Sequence, residues 1–380
     1  MPLLIDAQTG HALSFDDVRQ DAAALAESLS TRFGVGSGDS IAVLAHANVD
    51  IPIVAIAAWT VCASVVVLPP EVPTDELRET LAQQHLPQVF FVSREFLPAT
   101  RQVVDGIVLH APGSEPPHFV VFDAEDGDSA LRDDNRLGAR AALDIRSLYY
   151  MHPGDLPPGR PPLSRSESED ATAVIYFHYH QASNGTTVTP SHMSHRNIID
   201  QYNSSLRRSP SLPSRQSPPA QRSATPPDRP ATPHTQPWRS TARFLDADAG
   251  TGDHTQVLAF AALRMHWAYR LHRTVLNIFC LGAHYVVAPS FSPLQFIAAV
   301  DRYSIACAEL TFAEIEWLLD YLQQTRSESA GLLAPLRLVY TESDRAEAEL
   351  APRFAWLLPR VSIVHTRFGS YVEPLSRSYP

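Results

Sequence analysis

An α/β fold built on parallel sheets is predicted by three features of this chain. Short apolar runs such as Val65-Val66-Val67 and Val89-Phe90-Phe91-Val92 read as buried strands. Between them lie segments of helical period, of which Val18, Ala22, Leu25 and Leu29 on one face are the clearest. The two kinds of segment alternate along the chain, and that order belongs to parallel α/β layers.

The first helix has a readable start. Ser14 is the candidate N-cap, with Asp17 three residues on. Gly34, Gly36 and Gly38 end the helix, and Asp39–Leu44 follows as a buried strand. A helix over Ile53–Trp59, a strand over Val65–Leu68, a helix over Thr74–Gln84 and a strand over Val89–Val92 come next. Ile51–Leu68 approaches the length of a membrane span. Pro52, Trp59, Ser64 and the β-branched run instead mark a buried helix turning into a buried strand, so no membrane span is expected.

From about 110 to 170 the pattern weakens. Asp123–Asp134 is acidic and Pro153–Ser168 is rich in Pro, Gly and Ser, so surface excursions are expected there. A second α/β pattern begins with a strand over Ala173–Phe177 and breaks off near Tyr202. Arg207–Ser240 is low-complexity and dominated by Pro, Ser, Thr, Arg and Gln. It has too little apolar surface to offset the entropy of ordering, and disorder is expected. Ser209-Pro210, Ser217-Pro218, Thr225-Pro226 and Thr232-Pro233 recur in it at nearly even spacing. Two readings stay open, a tolerated loop insertion and a basic segment that a proline-directed kinase or another protein partner recognises.

Globular patterning resumes at Val257. Helices are expected over Leu276–Leu281, Pro293–Tyr303, Ala313–Gln323 and Glu347–Leu357, and strands over Val257–Phe260, Tyr285–Ala288, Leu336–Tyr340 and Val361–His365. The domain limits that follow are 1–170, 171–206, 207–240 and 241–380.

Composition narrows the functional classes. The 44% hydrophobic and 19% charged residues suit a globular protein, and the net charge of −11 argues against a nucleic-acid binder. Cys62, Cys280 and Cys307 stand far apart among apolar neighbours, so buried reduced thiols and a cytoplasmic protein are expected. Residues 1–6 have neither a basic region nor a long apolar run, so no signal peptide is expected.

Several motifs, in order, carry a family resemblance. Gly38-Asp39-Ser40-Ile41-Ala42-Val43, Asn48–Ala57 and Thr74-Asp75-Glu76-Leu77 come first. Then follow Ser183-Asn184-Gly185-Thr186-Thr187 with Pro190, and Ser194-His195-Arg196-Asn197. Met265-His266, Leu336–Val339 and Phe368-Gly369-Ser370-Tyr371-Val372-Glu373 complete the set. Together they resemble the large N-terminal domain of the adenylate-forming acyl-CoA synthetase, luciferase and peptide-synthetase adenylation family.

The resemblance implies layered parallel-sheet subdomains and an ancestral activity: ATP-dependent activation of a carboxylic acid to an acyl-adenylate, then transfer to CoA. It implies phosphate-binding roles for Ser183, Gly185, Thr186 and Thr187, an acyl-pocket role for His266, and a Mg²⁺ role for Glu373. ATP, Mg²⁺ and CoA are the implied cofactors and a carboxylic-acid small molecule the implied substrate. In such a loop, backbone N–H groups and hydroxyls cradle phosphates while a lysine offsets their charge.

This copy departs from the pattern. His178–Ala182 is inserted before the loop or replaces its tight lead-in. Val188 stands where a second Gly belongs, and Ser191 and His192 replace Lys and Gly. Thr341-Glu342-Ser343-Asp344-Arg345 occupies the place of a Gly-Ala-rich adenine loop, and one residue is added before Glu373 while the expected Thr is missing. The resemblance ends before the ribose-binding Asp, the hinge and the C-terminal domain with its catalytic lysine. Three readings follow: an impaired member acting as a binding or regulatory protein, a truncated form of an active ligase, and an active ligase with unusual motifs. Two other chemistries are set aside. His178, His180, His192 and His195 match no familiar zinc spacing, and Ser183 and Ser194 near His195 show no nucleophile turn or orienting acid.

Overall fold

The computed structural model describes residues 2–70, 72–83, 85–110, 116–124, 142–149, 170–182, 185–200, 258–261, 271, 274–275, 284–325, 331–341 and 344–365. The chain opens with a hairpin absent from the sequence expectations, β1 (Pro2–Asp6) and β2 (Ala12–Ser14). Its turn is local: the Asp6 carboxylate accepts from the Gln8 and Thr9 amides at 2.9 and 2.7 Å, and Gly10 takes a φ of 74°. Helix α1 (Phe15–Thr31) follows with the expected capping box, the Asp17 amide donating to Ser14 Oγ at 3.2 Å and the Ser14 amide to Asp17 Oδ2 at 2.7 Å. Val18, Ala22, Leu25 and Leu29 form its buried face.

The first half continues as β3 (Ser40–Leu44), α2 (Asp50–Thr60), β4 (Ser64–Val67), α3 (Thr74–Ala82), β5 (Val89–Val92), α4 (Leu97–His110), β6 (His118–Val121), β7 (Leu143–Asp144) and the single turn α5 (Arg146–Tyr149). Helix α4 was hidden in the sequence because Pro98 and Gly106 interrupt its pattern. The long hairpin β8 (Thr172–Ala182) and β9 (Gly185–Ser194) follows. After it come β10 (Leu258–Ala261), β11 (His284–Val287), α6 (Pro293–Tyr303), β12 (Cys307–Glu309), α7 (Phe312–Gln324), β13 (Leu338–Thr341), α8 (Asp344–Leu357) and β14 (Ser362–His365). The expected helix over Leu276–Leu281 and the expected disorder of Arg207–Ser240 lie outside the described residues.

Two seven-stranded sheets result, ordered β7-β6-β5-β3-β4-β8-β9 and β14-β13-β12-β10-β11-β1-β2. Neighbours are parallel except at one edge of each, where β9 and β2 run antiparallel to β8 and β1. The sheets do not follow chain order. Residues 2–14 belong to the sheet otherwise built from 258–365, and the 172–194 hairpin closes the sheet built from 40–144.

Strand alternation divides the core into layers. In β3, Ile41 and Val43 face one cluster while Ala42 and Leu44 face another, and Phe91 and Phe90 of β5 divide the same way. The first cluster also takes Leu25 of α1, Ile51 of α2, Tyr285 of β11 and Leu338 of β13, so α1 and α2 lie between the sheets. Helices α3 and α4 cover the outside of the first sheet, and α6, α7 and α8 the outside of the second. The order is helix, sheet, helix, sheet, helix. Each sheet is covered on both faces, which is why inner strands such as β3, β4 and β5 are apolar along nearly their whole length.

The apolar stretch from Ile51 to Leu68 is α2 running into β4. Among the described residues no helix is long and apolar enough to cross a membrane. Cys307 is buried as expected. Cys62 is only partly buried, because it sits in the tight turn from α2 to β4 with a φ of 59°.

Candidate functional site

In open α/β sheets, ligands bind beyond the carboxyl ends of the strands where successive crossovers diverge. In the second sheet that point lies between β10 and β12: β10 leads to β11 on one side, and β12 to β13 on the other. The strand ends there are level. Asp6, Val287, Ala261, Glu309, Tyr340 and Val364 form one row across β1, β11, β10, β12, β13 and β14. Because these six strands are parallel, the segments that follow β10, β13 and β14 all leave from this edge. His266 comes after β10, Glu342 and Ser343 directly after Thr341 of β13, and Glu373 after β14. His266, Glu342, Ser343 and Glu373 themselves lie outside the described residues.

The row of strand ends also contains a residue that the sequence reading missed. Glu309 ends β12 with only 8% of its surface exposed, on the same face as Cys307, between the Ala261 and Tyr340 positions. Burial, with the Glu309 charge added, pushes the Cys307 thiol up to about 12, so it stays protonated. The missed signal was a lone acid ending the run Ile305-Ala306-Cys307-Ala308.

The phosphate-loop motif takes a shape that the sequence did not suggest. The strand read as Ala173–Phe177 runs on to Ala182, and the motif lies at the tip of an antiparallel hairpin. Ala182 pairs with Gly185, Gln181 with Thr186 and His180 with Thr187. His178–Ala182 is therefore part of the ladder. Ser183 lies outside the described residues, and for Gly185, Thr186 and Thr187 the backbone alone is described. Val188, at the position of the expected second Gly, pairs with Tyr179 and is 4% exposed in the outer core of the first sheet. Ser191 and His192, at the expected Lys-Gly positions, pair with Tyr176 and Ile175.

Beyond the hairpin, Ser194 Oγ accepts from the Asn197 amide at 3.2 Å and caps the helical residues 195–200. His195 lies edge-on to Trp59, with ring centroids 6.4 Å apart, and burial lowers its pKa. Arg196 is engaged with Asp170 at 2.8 Å. All 30 cationic side chains of the protein are arginine, and none of the 380 residues is lysine.

At the first sheet, the loop after β3 carries a second set of polar groups. His46 Nε2 lies 3.0 Å from Glu95 Oε1, and its ring meets Phe96 edge-on at 5.1 Å. Asn48 Oδ1 accepts from the Asp50 and Ile51 amides at 3.0 and 3.1 Å, capping α2. Tyr149 of α5 donates its hydroxyl to Asp50 Oδ1 at 2.9 Å. Burial raises the Asp50 carboxyl to about 6, against the opposing pull of the Tyr149 bond and the Arg146 charge.

Comparison with known proteins fits this architecture. The family model for AMP-binding enzymes matches residues 2–215, more than half of the chain. The chain belongs to the AMP-binding enzyme family. No curated protein sequence matches it significantly. Among solved structures, an acyl-CoA synthetase from Brucella canis superposes with a TM-score of 0.65 at 14% identity, covering 96% of this chain and 53% of that one. The luciferase-like enzyme of the nonluminescent mealworm Zophobas morio gives 0.61 at 15%, covering 95% and 67%. The N-terminal domain of FACL13 from Mycobacterium tuberculosis gives 0.61 at 12%, covering 96% and 71%. At such identities the likeness establishes the fold. The chain spans roughly half to seven-tenths of the length of these three structures.

Proposed function

We propose that this chain is an acyl-CoA synthetase-like, AMP-binding-family protein in which the ancestral activation of a carboxylic acid by ATP is impaired. The β8–β9 register carries the reading. A phosphate cradle is a concave run of successive N–H groups, which needs alternating helical and left-handed backbone. Gly185–Ser194 is extended and paired along its length, and alternate residues of such a ladder commit their N–H groups to the partner strand. Val188 is held in the core, so the strand does not fold back into a loop without exposing it. The residues of β9 do not fit a triphosphate, and with no lysine in the chain the usual charge partner is missing as well.

An arginine can bind phosphate in lysine's place. Arg196, the cation nearest in sequence to the hairpin, is already paired with Asp170. The reading therefore leaves a binding or regulatory role, with a carboxylic acid or nucleotide as a weak small-molecule ligand. It also keeps the protein in the cytoplasm, which the free thiols of Cys62 and Cys307 support.

Calorimetry with Mg²⁺-ATP tests this. Loss of a charged contact alone weakens binding about tenfold to a hundredfold, so the affinity expected is about millimolar or weaker. The Thr186→Ala/Thr187→Ala double variant is expected to bind no differently. A micromolar dissociation constant abolished by that double substitution would refute the proposal, as would ATP- and CoA-dependent thioester formation.

One observation favours a second reading. The alignments cover 95–96% of this chain but at most 71% of the three matched structures, as expected of one part of a longer ligase. A reading frame that continues past Pro380 into a lysine-bearing domain, together with thioester formation by the longer product, would favour it.

A further inference from the structure

The helices covering the outside of the second sheet expose more aromatic surface than their packing requires. Trp317 of α7 is 53% exposed and Trp356 of α8 is 74% exposed, although indole is among the costliest surfaces to leave in water. Both sit beside the contact that joins the two helices. Arg353 Nη2 donates to Asp320 Oδ1 at 2.6 Å and Gln323 Oε1 at 3.0 Å. Helices α7 and α8 both cross between parallel strands and so run the same way. Trp317 lies about a turn before Asp320, and Trp356 about a turn after Arg353. The two indoles thus flank the bridge, about 15 Å apart. The strip continues to the start of α6, where Phe291, just before the helix, meets Trp317 edge-on at 5.9 Å and Leu294 of α6 stands exposed. On α7 the charge is acidic, Glu314, Glu316 and Asp320 with no basic residue, and of the three Asp320 is the one paired with Arg353 of α8.

A surface of spaced indoles beside the acidic face of α7 fits a basic, proline-rich segment. Proline rings and guanidinium groups both stack on indole, and a strand of that composition starts extended and loses little entropy on docking. The chain contains a segment of that composition. Arg207–Ser240 holds six arginines, nine prolines and one acid, a net charge of +5 that leaves −16 on the rest of a chain of net −11. Arg208, Arg215, Arg222 and Arg229 recur every seven residues, each followed by a proline within four, so several registers present the same chemistry. The 57 residues between Asp200 and Leu258 reach up to about 190 Å when extended, far enough to meet any face of the protein. Tethering keeps the segment at high effective concentration, and closing a loop of this length adds little entropic cost.

We propose that the strip formed by Leu294, Trp317 and Trp356 is the docking surface for the chain's own segment Arg207–Ser240. Two measurements test it. In the first, trypsin cleavage after Arg208, Arg215 and Arg222 is timed in the full chain, in Trp317→Ala/Trp356→Ala and in Glu316→Lys. Docking shields the arginines, so both variants and high salt are expected to speed cleavage about tenfold, the worth of one stacked cation. Equal rates in all three proteins overturn the proposal. Glu316 is exposed and outside the helix contact, so that variant keeps the test open should the double Trp variant misfold. In the second, a synthetic 207–240 peptide is titrated into a full chain whose own segment is replaced by a Gly-Ser linker of equal length. Saturable binding lost with the two tryptophans is expected, and no binding overturns the proposal. Self-association of the linker protein through the tryptophans, without peptide binding, would assign the strip to a second copy and overturn it as well. Neither readout involves ATP, so either outcome leaves the nucleotide proposal untouched.

Discussion

Replacing Asp50 by Asn should stabilise this protein at neutral pH and leave it unchanged in acid. Asp50 sits at the first turn of α2 with its carboxyl enclosed against α5, where burial raises its pKa from 3.8 to about 6. A carboxyl raised on folding favours the fold only while protonated. That contribution is complete below pH 3.8, is lost as the pH climbs through about 6, and stays lost above. A rise of this size corresponds to about 3 kcal/mol, and discounting for the partial exposure of the residue leaves about 2 kcal/mol at pH 7. Asn keeps an oxygen to accept the Tyr149 hydroxyl and removes the charge. The assay is chemical denaturation of parent and variant across the pH range, taken as the difference so that other carboxylates cancel. The difference should be near zero at about pH 4 and grow to about 2 kcal/mol in favour of Asn at neutral pH. Tyr149→Phe removes the bond that opposes the rise and should move the midpoint of the difference curve to higher pH. A difference independent of pH, or a parent more stable than the variant at pH 7, would refute the reasoning.

Other outcomes follow from the same structure. Val188→Gly, which restores the family's glycine, should destabilise the protein by about 2 kcal/mol in urea titration and yield no tighter Mg²⁺-ATP binding, because the site is core. Ser304 ends α6 with a φ of 53°, so Ser304→Gly should raise stability by about 0.5–1 kcal/mol in the same assay. Thr311→Ala removes the capping box of α7, whose Glu314 amide donates to Thr311 Oγ1 at 3.2 Å, and should lower stability by about 1 kcal/mol. Phe90, fully buried and stacked on Phe119 at 5.5 Å, should cost about 3–5 kcal/mol as Ala, read from the shift in denaturation midpoint.

Local order was set in the sequence wherever a short-range rule was sufficient. Ser14 and Asp17 fix the start of α1, Pro293 and the apolar spacing behind it fix α6, and the β-branched runs fix β4 and β5, because caps and periodicity act over a few residues. The order of the family motifs was equally legible, being a property of the chain itself. What only the tertiary structure decided is long-range. Strand β1 gains its place by pairing with β11 some 280 residues away, and nothing in Pro2–Asp6 encodes that partner alone. β12 is three residues long and identified as strand by β10 and β13 on either side. The phosphate-loop motif reads as a loop in one dimension, since Gly and Thr permit one. The ten-residue ladder with β8 makes it a strand, because pairing and the burial of Val188 outweigh the local freedom of Gly185. Likewise Glu309 comes to lie at the strand-end rim through the divergence of crossovers on either side of β10 and β12, a relation among strands that no single stretch of sequence contains.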